Sequence, residues 1–281
     1  MCGSKKQGRW GYIDKEGGTV VSCQYDEAKD YHEGLAAVCS EGAWGFVDKS
    51  GECVTACQYD EVKDYCEGLA AVKKNDKWGY IDKEGQGIIP LMYDEVGSFS
   101  EGKASVKQSS PSAEIADIWA YIDQKNEVVI DYRVYSAAGS FRMYVGEFHD
   151  GLAFVTDVQP SIINDKGQYV FDGSDSAFFI DDFAYDRKYK AIPAYVFADA
   201  AMQERKYGLI GIDGSCLLAP VFDYVEIPVD NYVKVAIKVD EEKCYGVIQF
   251  LPAALSSIDV SSLVRRLNVL RRPVSSDHLI L

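Results

Sequence analysis

Two acidic stretches, YDEAKDYHEG at residues 25–34 and YDEVKDYCEG at residues 59–68, each carry four carboxylates within ten residues. Converging carboxylates would suit calcium, but their spacing is not that of a calcium-binding loop. Lys29 and Lys63 sit among them as counter-charges, so solvated loops without metal are expected. The eight cysteines include no C-x-x-C pair, the nearest approach being Cys53 and Cys57, which argues against a zinc site. Cys23 and Cys57 share a position that Leu91 fills later in the chain, which predicts a small buried apolar site. Unpaired thiols fit a reducing compartment. The three histidines are His32, His149 and His278. His32 occupies a position taken by Cys66 and then Ser100, and a catalytic base would not be exchanged so freely. No nucleophile elbow, phosphate-binding loop or dinucleotide fingerprint occurs. The reading is therefore of a protein that is not an enzyme, with no catalytic, cofactor-binding or metal-binding residue and no cofactor.

Composition narrows the partners. The formal net charge of -15 repels a nucleic-acid backbone and an anionic membrane surface. No apolar run reaches the ~20 residues of a membrane-spanning helix. The opening MCGSKKQGRW contains no export signal, which gives a cytoplasmic expectation. Its Cys2-Gly3-Ser4 would also suit an envelope lipoprotein whose leader had been removed, and that is the alternative.

What positions these side chains is a repeat. Trp10, Trp44 and Trp78 lie 34 residues apart and open RWGYIDKEG, AWGFVDKSG and KWGYIDKEG when the preceding residue is included. A period between 20 and 50 residues signals a modular array. Residues 24–38 and 58–72 are identical at 13 of 15 positions. Trp119 opens a fourth unit, and Ile162, Tyr207 and Tyr245 open more diverged ones. The units run near 10–43, 44–77, 78–118, 119–160, 161–206 and 207–244, with a partial unit at 245–250. Together they form one β-repeat domain, residues 9–250. Insertions fall at 108–117 and 172–190.

Each unit reads as strands. Alternation in Trp78-Gly79-Tyr80-Ile81-Asp82 gives one, and the following Asp82-Lys83-Glu84-Gly85 suits a hairpin on a type I turn with a glycine bulge. A β-branched strand follows, then a YDE loop, then a strand at Gly-Leu-Ala-Ala-Val. The unit is thus expected to be a three-stranded antiparallel meander whose YDE loop bridges to the next. Gly11, Gly45 and Gly79 predict close approach of a neighbouring ring or backbone. The pairs Ala36-Ala37 and Ala70-Ala71 leave room on both faces of their strand. Asp26, Asp60 and Asp94 are expected to accept backbone amides in a local turn.

These motifs resemble those of the bacterial WG-containing repeat proteins: W-G-[YF]-[IV]-D-x-x-G, then YDE, then F-x-E-G-x-A-x-V. The resemblance is specific over residues 9–107, weaker over 108–250 and absent from 251–281. It implies a β-repeat module without a general activity, with Trp10, Gly11, Trp44, Gly45, Trp78, Gly79 and Trp119 as its structural residues.

Residues 251–281 differ in character. Ser257 can cap a helix in which Val260, Leu263, Val264, Leu267 and Leu270 recur at helical spacing, and Pro273 ends the pattern. A C-terminal helix capping the last repeat is expected. The fold expectation is an all-β, open, solenoid-like stack with that helix, and a β-propeller is the alternative. The function expectation is a non-catalytic scaffold binding an unidentified protein partner. Contacts are assigned to Phe141, Tyr144, Phe148 and His149, the aromatics among them taken as exposed. A small-ligand or glycan-binding module at the bacterial cell envelope is the second reading.

Overall fold

The computed structural model describes residues 2–109, 118–133, 144–156, 160–173, 179–180, 191–198, 204–212, 214–226, 232–239 and 242–249. The predicted helix in 251–281 lies outside these residues. Every regular element described is a β-strand. The chain divides into two compact units, residues 1–153 with 165–167, and residues 154–164 with 168–281.

The first unit begins with a three-stranded sheet, β1 (Cys2–Lys6), β2 (Arg9–Ile13) and β3 (Thr19–Tyr25). Three further groups follow the same plan with one strand more. The second sheet comprises β4 (Glu27–His32), β5 (Leu35–Ser40), β6 (Ala43–Asp48) and β7 (Cys53–Tyr59). The third is β8 (Glu61–Val62), β9 (Ala70–Lys74), β10 (Lys77–Ile81) and β11 (Gly87–Tyr93). The fourth is β12 (Glu95–Val96), β13 (Ala104–Gln108), β14 (Ile118–Ile122) and β15 (Val128–Arg133). Neighbours within these sheets are consecutive and antiparallel. The expected three-stranded meander is thus extended by one strand. The segment read as a bridging loop pairs through Glu61↔Lys73 and Val62↔Val72 in the third sheet, and likewise through Glu95↔Lys107 and Val96↔Val106 in the fourth. A two-residue strand is too short for alternation to reveal it.

The Ala-Ala strands explain the layering. Leu35 and Ala37 face a cluster with Phe46, Tyr65, Ala70 and Ile81, while Ala36 and Val38 face one with Tyr12, Val21 and Val47. Leu69 and Ala71 likewise join Tyr80, Ile89, Phe99 and Ile122. Each such sheet is covered on both faces by its neighbours, so its second strand is buried continuously rather than at alternate positions. Small side chains at the pair leave space for a ring from the next sheet. Those rings recur as edge-on pairs: Tyr12–Tyr31, Phe46–Tyr65, Tyr80–Phe99 and Tyr121–Phe148, with centroids 4.7–4.9 Å apart. Buried hydroxyls are satisfied by main-chain carbonyls, Tyr65 by Asp82 at 2.8 Å and Tyr80 by Gly97 at 2.7 Å.

The predicted hairpin is present. Asp82 Oδ1 accepts the amides of Glu84 and Gln86, and Gly85 adopts φ +79°. A second constraint acts there: a side chain at Gly85 would strike the Thr55 methyl of the preceding sheet.

β16 (Tyr144–His149) and the start of β17 (Leu152–Thr156) belong to the first unit. The second unit contains the rest of β17, with β18 (Pro160–Asn164) and β19 (Tyr169–Phe171). It continues with a sheet of β20 (Ala191–Phe197), β21 (Arg205–Gly211) and β22 (Cys216–Phe222), then one of β23 (Tyr224–Val225), β24 (Tyr232–Val239) and β25 (Glu242–Gln249). Its core gathers Ala191, Leu209, Leu218, Phe222, Val225, Val233 and Val235. Tyr245, expected to open a partial repeat, lies in β25, at the edge of this sheet.

Candidate functional site

The repeated Trp-Gly pairs are used internally. Trp78 and Trp119 are buried, and Trp10 and Trp44 are half-buried. A lysine ammonium lies over each indole: Lys5 over Trp10, Lys29 over Trp44, Lys73 over Trp78 and Lys107 over Trp119, at 5.1–5.9 Å. In three of the four the lysine is the residue paired with the tryptophan across the ladder. The glycine after each of the first three tryptophans sits where the next strand bulges. A Cβ on Gly45 would lie 2.5 Å from the Thr55 carbonyl oxygen, and one on Gly79 2.5 Å from that of Ile89. Close backbone approach, as the sequence led us to expect, is the reason for these glycines.

The carboxylates are also committed. Asp26, Asp60 and Asp94 accept backbone amides, but those of Glu41, Asn75 and Ser109, each 15 residues on. The expected local turn is corrected to a tie onto the following hairpin, because the YDE segment is a strand running beside it. Asp26 and Asp94 are further paired with Arg9 and Lys77, and Asp223 repeats the pairing with Lys206. Burial pushes the Asp94 carboxyl up, yet the Lys77 ammonium and the Ser109 amide outweigh it and hold the group below its ordinary value.

A second series joins successive sheets. Glu33 accepts the Gly68 amide at 2.9 Å, Glu67 accepts those of Glu101 and Gly102 at 2.6 and 2.8 Å, and Glu101 accepts that of Gly151 at 2.8 Å. Glu33, Glu67 and Glu101 all lie in left-handed backbone, at φ 49°, 52° and 53°. Such a conformation is unfavourable for a residue with a side chain. The carboxylates tie one turn to the next, so these acids have an architectural use that calcium binding does not explain. Among the described residues, no cluster of His, Cys, Asp and Glu could hold a metal ion.

The contact residues expected from sequence separate. Phe141 and the side chain of Tyr144 lie outside the described residues. His149 is exposed, whereas Phe148, expected to be exposed, is fully buried. It is the edge-on partner of Tyr121 and lies under the Lys103 ammonium at 5.0 Å. The signal was present: Phe148-His149-Asp150-Gly151 is a copy of Tyr65-Cys66-Glu67-Gly68 and Phe99-Ser100-Glu101-Gly102, so Phe148 takes the same core position. The cysteine position is also corrected. Cys23 and Cys57 are half-buried and Leu91 is 40% exposed, because the last strand of each sheet lies at its edge.

Polar residues do gather along the opposite edge, where the positions of His32, Cys66, Ser100 and His149 correspond. His32 Nε2 is 3.6 Å from Asp64 Oδ2, and Glu147 accepts the Ser98 amide at 3.0 Å. Burial pushes the Cys66 thiol up, and the Glu147 and Glu33 carboxylates push it further. A reactive cysteine needs the reverse shift. Burial also lowers the pKa of Lys63, against the opposing pull of Glu147 and Glu95. This edge holds titratable groups without an activated nucleophile.

The last strands tell the copies apart. In β3 and β7 the exposed positions are Thr19, Ser22 and Gln24, then Cys53, Ala56 and Gln58. In β11 and β15 large apolar groups emerge: Ile88, Leu91 and Met92, then Val128 and Val129, 37–60% exposed. Tyr93, at the end of β11, and Val106, Ile118, Ala120, Val128 and Asp131, on β13, β14 and β15, line a cleft of about 400 Å³. Gln108 lines it too.

The WG containing repeat family matches residues 10–42, 44–78, 78–110 and 119–142. No curated protein matches the chain. Among solved structures, a eukaryotic initiation factor is similar with a TM-score of 0.56 and 12% identity, over 83% of this chain and 67% of that one. The tricorn protease is similar with a TM-score of 0.39 and 11% identity, over 88% and 28%. A quinonprotein alcohol dehydrogenase-like protein from Bacteroides thetaiotaomicron gives 0.37 and 12%, over 70% and 55%. The first likeness bears on fold alone.

Proposed function

We propose that this chain, which matches the WG containing repeat family over residues 10–42, 44–78, 78–110 and 119–142, is a non-catalytic scaffold that binds another protein. The observation that carries this reading is the change in the last strands, from small or polar side chains in β3 and β7 to exposed Ile, Leu, Met and Val in β11 and β15. Exposed contiguous apolar groups mark interaction sites, whereas isolated ones do not. The repeated Trp, Gly, Asp and Glu residues support it from the other side. They are spent on packing and turn ties, which leaves the diverged positions to carry specificity.

The test is recovery of partners by the full chain and by a Leu91→Ser/Val129→Ser variant, followed by quantitative mass spectrometry. The reading expects specific proteins lost with the variant. Recovery indifferent to these substitutions would sink it. Glycan binding by the tryptophan faces, the second reading, is weakened by the burial of Trp78 and Trp119 and by the ammonium over each ring. Open stacking of the repeats, rather than closure into a β-propeller, belongs to the same proposal, and the small-angle scattering curve discriminates the two. So does a cytoplasmic location, supported by the free thiols of Cys23, Cys39, Cys53, Cys57, Cys66 and Cys216.

A further inference from the structure

We infer that the cleft on the β13–β15 face of the fourth sheet, beside Tyr93 at the end of β11, receives an extended segment of a partner protein whose large aliphatic side chains alternate with Lys or Arg. The inference rests on the scaffold reading and adds the chemistry of the occupant. Three features select it. The cleft is floored by β13, β14 and β15, strands of five to six residues, with Tyr93 at the end of β11 beside it, and such a floor suits an extended chain of similar length. Its volume of about 400 Å³, walled largely by Tyr93, Val106, Ile118, Ala120 and Val128, accommodates a few aliphatic side chains.

Charge supplies the third feature. Asp131 is the charged residue among the lining side chains, Glu127 is exposed immediately before Val128, and the whole chain carries -15. A cationic segment is steered to such a surface, and an acidic one is repelled. A second copy of this chain would bring the same acids against themselves, so self-association is disfavoured. Addition of the segment as a further strand on β11 is hindered by Pro90, which lacks an amide hydrogen at the middle of that edge. Recognition therefore falls to side chains entering the cleft, with Ile88, Leu91, Met92 and Val129 as the apolar surround.

The test uses the full chain and three fluorescent twelve-residue peptides: alternating Leu and Lys, alternating Leu and Glu, and alternating Ser and Lys. Anisotropy titration should give the Leu/Lys peptide at least tenfold tighter binding than either control. Val128→Ser should weaken it about tenfold, and Asp131→Asn severalfold with a shallower salt dependence. Gln24→Ser, on the edge strand of the first sheet, should leave it unchanged. Val128 is 60% exposed, so its replacement should not unfold the sheet, and an unchanged tryptophan-detected melt verifies this. Equal binding of the Leu/Glu peptide, or indifference to Val128→Ser, overturns the inference. Dimers in sedimentation equilibrium that Val128→Ser abolishes also overturn it, by making a second copy the occupant. If partners are lost from Leu91→Ser/Val129→Ser while the peptides fail to discriminate, the chemistry assigned here is wrong and the scaffold reading stands.

Discussion

Gly79→Ala tests the packing logic of the repeat at a single atom. The added Cβ would lie 2.5 Å from the Ile89 carbonyl oxygen and 2.7 Å from both the carbonyl carbon and oxygen of Pro90. Ordinary contact begins at 3.4 Å, so the shortfall at the nearest atom is about 0.9 Å. The opposing atoms are main chain of β11, which cannot rotate aside as a flexible side chain could. Relief requires β11 to retreat from β10, stretching the ladder bonds beside the bulge at roughly 1 kcal/mol each. Retreat also loosens Ile89 and Tyr93 in the core between the third and fourth sheets. The sum is a destabilisation of about 2–4 kcal/mol, reduced by roughly 0.5 kcal/mol for the lower entropy of an unfolded alanine. For a unit of this size that lowers the melting temperature by roughly 4–12 °C. All four tryptophans lie between residues 10 and 119, so thermal unfolding followed by tryptophan fluorescence reports the first unit. Gly87→Ala is the control: nothing lies within 4 Å of its Cβ, and its melt should move by no more than about 0.5 kcal/mol. Equal melts for Gly79→Ala and wild type would show that the strand has room, and would refute the account of the repeated glycine.

The remaining predictions concern ties, protons and solvent access. Glu67→Ala should destabilise the first unit by about 1–2 kcal/mol through loss of two amide contacts, whereas Glu67→Gly should recover roughly 1 kcal/mol of this by relieving φ 52°; equal urea midpoints for the two variants would remove backbone strain from the explanation. Burial raises the Tyr31 hydroxyl from 10.0 to about 12, and Tyr12, Tyr65 and Tyr80 go higher still. Above pH 10 the unfolded chain releases these protons while the folded chain retains them, so stability should be level below pH 10 and fall from there to pH 12. Urea titrations across that window check the sign, and a flat profile contradicts it. In single-tryptophan variants, acrylamide should quench Trp78 and Trp119 less than Trp10 and Trp44, and the reverse order would contradict the burial described. A chelator should leave the melt unmoved, and a fall in melting temperature would restore the calcium reading of the acidic stretches.

What the sequence determined by itself was everything carried by local chemistry and period. The 34-residue step of Trp-Gly fixed the repeat, the Asp-x-x-Gly turns fixed the hairpins, and the Ala-Ala pairs announced strands packed on both sides. Those signals act within a few residues, or repeat identically, so they can be read without a partner strand. Tertiary structure decided what depends on residues far apart in the chain. Glu61-Val62 became a strand only because β9 offers it a partner, and a two-residue element has no periodicity of its own. Asp60 finds its amide 15 residues away, and Glu67 reaches turns 34 and 35 residues on, so neither contact follows from composition. The core position of Phe148 depends on its ring contact with Tyr121, a residue 27 positions away, although its motif is a worn copy of the others. Exposure at Leu91 and Val128 was likewise invisible in sequence, since a hydrophobic residue in a strand is ordinarily assigned to a core. Only the stacking of whole sheets shows that the last strand of each is an edge, and that in β11 and β15 the edge carries exposed apolar groups.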